Sequence, residues 1–422
     1  MVLLTPDYDG CGLPTTDSLL KLYDTVHKLL TTGKAVAAYT PTYGGVAEAV
    51  MKMCFGNGLG FAYEANVTDE NVFGYRYGAF VLELAGKWDG NGILLGCTTM
   101  EKTVKRGDAS VSLNELLTIY EGKLESVYPC NIPTPEAEIP NLDYTTESRV
   151  ASVLRCVKPR VLIPVFPGTN CEYDSAKAFT AAGAETETVV IRNLTSAAIA
   201  DATDHFARRV ADAQMIFIPG GFSGGDEPDG SGKFITAFFR NAAVKKAVTG
   251  LLDSRGGLMA GICNGFQALI KLGLVPYGRI IEPDETCPTL TGNVIGRHQS
   301  RIVPVRVASN KSPWLAMTQV GDVYNVPISH GEGRFYASEE LVRKLAQNGQ
   351  IATQYVDLEG KPTMDVHFNP NGSVYAVEGI TSPDGRIFGK MGHAERKGVG
   401  LYKNVPGEYD MKMFTSAVEY FK

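Results

Sequence analysis

The chain has 422 residues, 44% hydrophobic and 20% charged, with a formal net charge of −6; that length favours two or three domains over one. The acidic balance argues against nucleic acid or an anionic membrane as main partner, and apolar runs are broken by Lys, Asn, Gln or Gly well before membrane-spanning length. The start, MVLLTPDYDG, lacks the basic-then-apolar plan of a secretory signal. The eight cysteines (Cys11, Cys54, Cys97, Cys130, Cys156, Cys171, Cys263 and Cys287) are scattered without a CxxC pair. They read as reduced thiols of a cytoplasmic protein, most of them small buried hydrophobes, and not as a disulfide framework or a zinc site.

In chain order, Thr16-Asp17-Ser18 caps LLKLYDTVHKLL, an amphipathic helix stopped by Thr-Thr-Gly. AVAAYT reads as a strand, and GGVAEAVMKMCFGN as a helix opened by Gly44-Gly45. GYRYGAFVLELAG and GILLGCTT read as further strands, and SLNELLTIYEG as a closing helix. Strands and helices mix there without a strict repeat, so residues 1–128 are expected to be a small α+β domain. Residues 129–157, rich in proline and polar side chains, read as a linker. From 158 to 422 the alternation is regular. RVLIPVF, ETVVI, QMIFIPGG and GLMAGIC are strands, and the stretches between them are helices, among them a long one over KFITAFFRNAAVKKAVTGLLDSRG and another over NGFQALIKLGL. That pattern predicts an α/β domain with a parallel sheet covered by helices on both faces. Beyond Pro276 strands dominate. Sites on such sheets lie at the carboxyl ends of strands, where two glycine-marked ends stand out, PGGFSGGDEPDGSG and GICNGFQ.

Gly261-Ile262-Cys263-Asn264-Gly265 fits a nucleophile elbow, whose glycines remove Cβ clashes at a tight strand-to-helix turn. The following helix aims its N-terminus at the sulfur, which favours thiolate, and the N–H of Asn264 would face an oxyanion. A buried, inert cysteine is the plain alternative. Gly221 or Phe222, on the other glycine-rich strand end, would supply the second oxyanion donor. That loop lacks the Gly-Lys-Ser/Thr ending of a phosphate loop, and Asp226, Glu227 and Asp229 would repel phosphate. A cysteine nucleophile needs a base. His27 and His205 sit in amphipathic helix patterns, His298 in a polar strand and His367 near a turn, which leaves His330 and His393. Each is followed two residues on by a glutamate, Glu332 or Glu395. In an extended segment such a glutamate shares the face of the imidazole and can orient it. Spacing alone puts His393 only slightly ahead.

Four stretches, FIPGGFSGGDE, GICNGFQALIKLGL, PISHGEGRF and NPNGS…VEGITSPDGRIFGKMGHAER, together resemble the glutaminase domain of the phosphoribosylformylglycinamidine synthases, over about 160–422. The resemblance implies a flavodoxin-like class I glutaminase fold and a triad of Cys263, His393 and Glu395. It implies that Gly221, Phe222, Asn264, Gln267 and His330 line the oxyanion and glutamine site, with His330 not the base. It implies hydrolysis of glutamine to glutamate through a cysteine thioester, with no cofactor or metal in the glutaminase, and delivery of ammonia to a synthetase partner. ATP and magnesium are implied for the complete enzyme, bound mainly outside this chain. Residues 1–128, through TPTYGGVAEAVMKMCFGNGLGF, resemble the C-terminal lobe of aminoimidazole ribonucleotide synthetase. Where that family often has Asp-x-Ser-Asp-Gly-Gly, this chain has Thr40-Pro41-Thr42-Tyr43-Gly44-Gly45, and two acidic groups are missing. Ala394 stands where many such glutaminases have proline, with the His–Glu spacing kept. The rival readings are a DJ-1-like cysteine hydrolase built on the same turn and a non-catalytic docking or assembly fragment.

Overall fold

Val2, Leu3 and Leu4 are all buried because β1 (Val2–Leu4) is an inner strand of a four-stranded sheet. It pairs antiparallel with β4 (Phe80–Leu84) on one side and β5 (Ile93–Leu94) on the other, and β2 (Ala35–Tyr39) lies outside β4. In this computed structural model residues 1–135, 137–225 and 231–422 are described. They form two compact units, Met1–Cys130 and Asn131–Lys422. Within the first unit, successive residues of β1 serve opposite faces, as strand geometry requires. Val2 and Leu4 pack with Leu22 and Val26 of α1 (Thr16–Thr31). Leu3 packs with Val46, Ala49 and Val50 of α2 (Gly45–Asn57). A second sheet runs β6 (Gly96–Thr99), β3 (Gly60–Tyr63), β7 (Thr103–Arg106), β8 (Ala109–Ser112). Helices α3 (Asp69–Phe73) and α4 (Leu113–Gly122) complete the unit.

Two strand expectations are corrected there. Of GYRYGAFVLELAG only Phe80–Leu84 is strand, because Gly78 (φ 76) turns the chain just before it. GILLGCTT divides at Gly96 (φ 148) into β5 and β6, which join different sheets. The Gly44-Gly45 turn is closed from within. The Glu48 carboxylate accepts from Gly44 N (2.9 Å) and Thr42 Oγ1 (2.9 Å) and pairs with Lys52 (2.5 Å), so the N-terminus of α2 carries its own anion.

The second unit is built on nine strands in the order β10 (Glu185–Val190), β9 (Arg160–Val165), β11 (Met215–Ile218), β12 (Leu258–Ile262), β19 (Ile387–Lys390), β18 (Val377–Thr381), β17 (Ile351–Tyr355), β14 (Gln299–Val307), β15 (Val323–His330). The first five are mutually parallel. The remaining pairings are antiparallel, so the expected parallel sheet extends only part of the way across. The strand-rich sequence after Pro276 accounts for this, since hairpin connections replace helical crossovers. A small ladder of β13 (Thr289–Gly292) and β16 (Glu332–Tyr336) stands apart.

Helices α5 (Glu172–Ala181), α6 (Ser196–Val210), α7 (Lys233–Arg240), α8 (Ala242–Thr249), α9 (Asn264–Leu272), α10 (Leu274–Tyr277), α11 (Glu339–Gln347) and α12 (Met413–Glu419) complete this unit. On β11, Phe217 meets Phe179 of α5 (5.1 Å) and Phe414 of α12 (5.7 Å). Its neighbour Ile218 lies under Gly265 of α9. Adjacent strand residues point to opposite faces, so helices cover both, as the sequence predicts. The single helix expected from Lys233 onward is divided into α7, α8 and a π-helical turn over Gly250–Ser254. Asn241 (ψ 135) leaves the helical conformation, and its Oδ1 accepts from Ala243 N (2.9 Å) to cap α8.

Among its described residues the stretch read as a linker forms no helix, and beyond Ile139 it is bonded along the second unit. Leu142 N donates to Gln354 Oε1 (3.0 Å), Thr146 N to Asn310 Oδ1 (2.9 Å) and Cys156 N to Phe421 O (2.8 Å). Among the described residues no helix is long and apolar enough to cross a membrane.

Candidate active site

Strand β12 is buried throughout and ends at Cys263, whose φ of 54° and ψ of −107° are rare for a residue with a side chain. The chain turns from there directly into α9. Cys263 N donates to Lys390 O (2.9 Å), and Cys263 O accepts from Gln267 N (3.0 Å), so the backbone is held on both sides. The flanking glycines are sterically required. A Cβ on Gly261 would lie 2.6 Å from Gly265 C, and one on Gly265 would lie 2.1 Å from Ile218 O. The sulfur is almost buried and lies 3.7 Å from Ser329 O.

His393 follows β19, the strand beside β12. Its Nδ1 meets Glu395 Oε1 at 2.5 Å, and its Nε2 is buried with no protein partner among the described residues. Gly220, just past the end of β11, is the reason that imidazole and cysteine come together. A Cβ there would be 2.7 Å from His393 Cε1 and 3.3 Å from Cys263 Cβ. Burial alone would lower the imidazole's pKa, but the Glu395 carboxylate and the sulfurs of Cys171 and Cys263 outweigh it and hold His393 well above its ordinary 6.5. Burial pushes Glu395 up, and His393 outweighs that and holds it below its ordinary range. The two form a charged pair in a dry setting.

Cys171, which the sequence reads as one of the buried hydrophobic thiols, belongs to this cluster. Its sulfur lies 3.8 Å from His393 Nδ1 and 3.2 Å from Arg396 Nη2. Its position just past the end of β9 is the signal that would have found it. The ligand atoms of Cys171, His393 and Glu395 lie within 4.8 Å of one another, the spacing of a metal-binding group. The Arg396 guanidinium against the Cys171 sulfur opposes a cation there.

On the oxyanion side, Asn170 N donates to Gly220 O (3.3 Å) and Phe222 N to Gly168 O (2.8 Å), flanking the Thr169–Gly221 bridge. The amide of Phe222 is therefore committed to the fold and is withdrawn as an oxyanion donor. Gly221 (φ 138) turns its N–H away from that strand. Asn264 is the first residue of α9, so its N–H has no intrahelical acceptor. Its side chain accepts from Ser223 N (3.2 Å) and donates to Gln267 Oε1 (2.8 Å), and Gln267 Nε2 donates to Glu332 O (2.5 Å). Asp226, Glu227 and Asp229 lie outside the described residues.

His330 is buried at the end of β15 with neither ring nitrogen bonded to protein among the described residues, and burial, with His393 nearby, holds it down to about 3. Glu332 does not orient it. The strand is interrupted at Gly331, between β15 and β16, and the Glu332 carboxylate accepts instead from Ser231 N (2.8 Å), Ser231 Oγ (3.0 Å) and Lys271 Nζ (3.1 Å). His27, His205, His298 and His367 are exposed.

A cysteine on a strained strand–helix turn, facing a buried His–Glu pair, belongs with the comparisons to known proteins. Residues 158–421 match the CobB/CobQ-like glutamine amidotransferase domain, and the chain belongs to that class. It is 36% identical over 297 residues to phosphoribosylformylglycinamidine synthase subunit PurQ of Methanococcus maripaludis, covering 63% of this chain and 98% of the relative. It is 32% identical over 234 residues to the subunit of the same name from Aquifex aeolicus, covering 55% and 88%. Within the class the chain is therefore a glutamine amidotransferase of the phosphoribosylformylglycinamidine synthase family. Among solved structures it is similar to a chain of PurLQS from Thermotoga maritima, with 27% identity and a TM-score of 0.46, covering 63% of this chain and 100% of that one.

Proposed function

We propose that Cys263 attacks the side-chain amide of glutamine, with His393 as base and acid and Glu395 orienting it. Transfer of the thiol proton to His393 gives a thiolate beside the imidazolium that Glu395 stabilises; the sulfur then bonds to the amide carbon, and the negative charge on oxygen is met by the N–H groups of Asn264 and Gly221. Collapse of that intermediate expels ammonia, which takes the proton from His393. Water, giving up a proton to the same imidazole, then hydrolyses the γ-glutamyl thioester to glutamate and frees the thiol. The observation that carries this reading is the strained Cys263 beside a buried imidazole whose Nδ1 is held by Glu395 and whose Nε2 makes no hydrogen bond of ordinary length among the described residues. Gln267 and His330 line the glutamine pocket, His330 as a neutral group. His393 is favoured over His330 as base because only His393 is held by a carboxylate.

The ammonia is used by a synthetase partner to convert formylglycinamide ribonucleotide to the amidine, with ATP and magnesium bound mainly outside this chain. The PurQ relatives are named as subunits of that synthase, which supports a partner of this kind. Residues 1–128 are read as a synthetase-type domain. Free thiols at all eight cysteines support a cytoplasmic setting.

The test is intact-protein mass after exposure to 6-diazo-5-oxo-L-norleucine, with peptide mapping, a Cys263→Ala control and assays of ammonia and glutamate release. Single labelling at Cys263, blocked by excess glutamine and absent from the control, is expected. Labelling spread over several cysteines, or glutamine turnover retained by Cys263→Ala, overturns the reading. Absence of any reaction favours the docking fragment, and turnover of esters or peptides in place of glutamine favours another cysteine hydrolase.

A further inference from the structure

His393 follows a glycine and precedes an alanine, so the local sequence does little to restrain the backbone that carries the imidazole. His393 N donates to Pro327 O (2.9 Å) on β15, and the residue before it is held from beneath. Glu378 on β18 and Lys390 at the end of β19 form an ion pair of 3.0 Å with both side chains at 0% exposure. Two of the pair's three side-chain polar atoms are bonded to the segment leading to His393. Glu378 Oε1 accepts from Gly392 N (2.7 Å), and Lys390 Nζ donates to Gly392 O (2.9 Å). The main-chain oxygen of Glu378 accepts from Met391 N (3.3 Å). The other carboxylate oxygen is fixed by Thr353 Oγ1 at 2.5 Å. Lys390 also holds the nucleophile, because its main-chain oxygen accepts from Cys263 N.

Space around the pair is fully used. A Cβ on Gly392 would lie 2.5 Å from Val326 Cγ2, 2.9 Å from Glu378 Oε1 and 3.0 Å from Lys390 Nζ. One on Gly379 would lie 2.8 Å from Thr353 Oγ1 and 3.0 Å from Lys390 Cβ. Stability alone is a poor reason for such a pair, since a buried ion pair is often replaced by apolar residues without loss. Its geometric effect is specific, because it grips the N–H and the C=O of the one residue that precedes His393.

We propose that Glu378 and Lys390 are positioning residues, a buried clamp that fixes the Gly392 backbone and so sets the reach of the His393 imidazole to Cys263. The inference rests on the reading of His393 as the base. The clamp touches neither substrate nor reacting atoms and acts through His393.

Lys390→Met keeps the length of the side chain and removes the grip on Gly392 O. Glu378→Gln keeps an acceptor for Gly392 N and removes the charge, and the two combined leave no buried charge unpaired. In the full chain, the rate of Cys263 modification by 6-diazo-5-oxo-L-norleucine is followed against probe concentration, with glutamine turnover and thermal melting alongside. The maximal labelling rate and kcat are expected to fall about 10- to 100-fold in Lys390→Met and in the double variant, the scale of a misplaced catalytic group. The probe concentration at half-maximal rate and KM are expected to stay within about threefold, because the glutamine pocket is not touched. Glu378→Gln is expected to lose less, and it carries the test if Lys390→Met does not fold. Wild-type labelling and turnover rates in a folded variant overturn the clamp. So does a loss that tracks only the unfolded fraction in the melts. Failure of the wild-type chain to label at Cys263 refutes the triad reading itself, so the two failures are told apart.

Discussion

His330 and His393 are both buried and each precedes a glutamate by two residues, yet their surroundings act on them in opposite senses. Burial, with His393 and His298 nearby, holds His330 down to about 3 and favours its neutral form. Glu395 instead keeps His393 charged against the same burial. Replacing that carboxylate by Glu395→Gln removes both the charge and the preference for one tautomer. Glutamine turnover is expected to fall by roughly 10²- to 10⁴-fold, in line with the loss of the orienting carboxylate from a comparable triad. Stability carries a second signature. A raised His393 stabilises the fold fully below its unfolded value near 6.5 and less as pH rises through its folded value. A lowered Glu395 stabilises it fully above its unfolded value near 4.5 and less as pH falls through its folded value. The melting temperature of the native chain relative to Glu395→Gln is therefore expected to be most favourable between about pH 4.5 and 6.5 and to shrink on both sides, as thermal melts in a pH series would register. A gap that does not vary with pH means that the pair is not charged in the fold.

At the scale of the element, the turn from β12 into α9 was legible because its requirement is local. Gly261 and Gly265 sit where a side chain would strike backbone, and no tertiary knowledge is needed to see that a Gly-x-Cys-x-Gly run invites such a turn. Gly265→Ala tests this. The added methyl would meet Ile218 O at 2.1 Å, so α9 must lift from β11. A loss of about 1–3 kcal/mol in urea unfolding is expected, with slower labelling of Cys263. Features that depend on partners far along the chain were not legible. Asn241 looks like one more polar residue in a helical run, and it breaks that run because its side chain caps the next helix. Phe222 lies in a motif with a free-looking backbone, yet its N–H is taken by Gly168, 54 positions earlier in the chain. The Glu378–Lys390 pair joins two strands whose adjacency only the sheet order reveals.

At the scale of the whole molecule, strand–helix alternation was enough to predict the parallel part of the second unit's sheet. The treatment of residues 129–157 as a linker reflects a limit of composition, since proline-rich polar sequence looks the same whether it is loose or fastened down. The family match begins at 158, whereas the compact unit begins at Asn131. The difference is a strap. Ile139, Leu142 and Cys156 pack against the large core, and Asp143 pairs with Arg306, whose side chain is only 7% exposed. The Asp143 side chain is 46% exposed, so solvent screens the pair and the apolar cover is the larger contribution. A chain of residues 158–422 is therefore expected to be less stable than one of residues 131–422, by roughly 2–4 kcal/mol for the apolar area uncovered. For a unit of this size that lowers the melting temperature by about 5–10 °C. Both pieces keep Cys263, His393 and Glu395, so both are expected to label at Cys263 below their transitions. Coincident melts would mean that the strap follows the surface without contributing to its stability, and that the folded unit starts where the family match does.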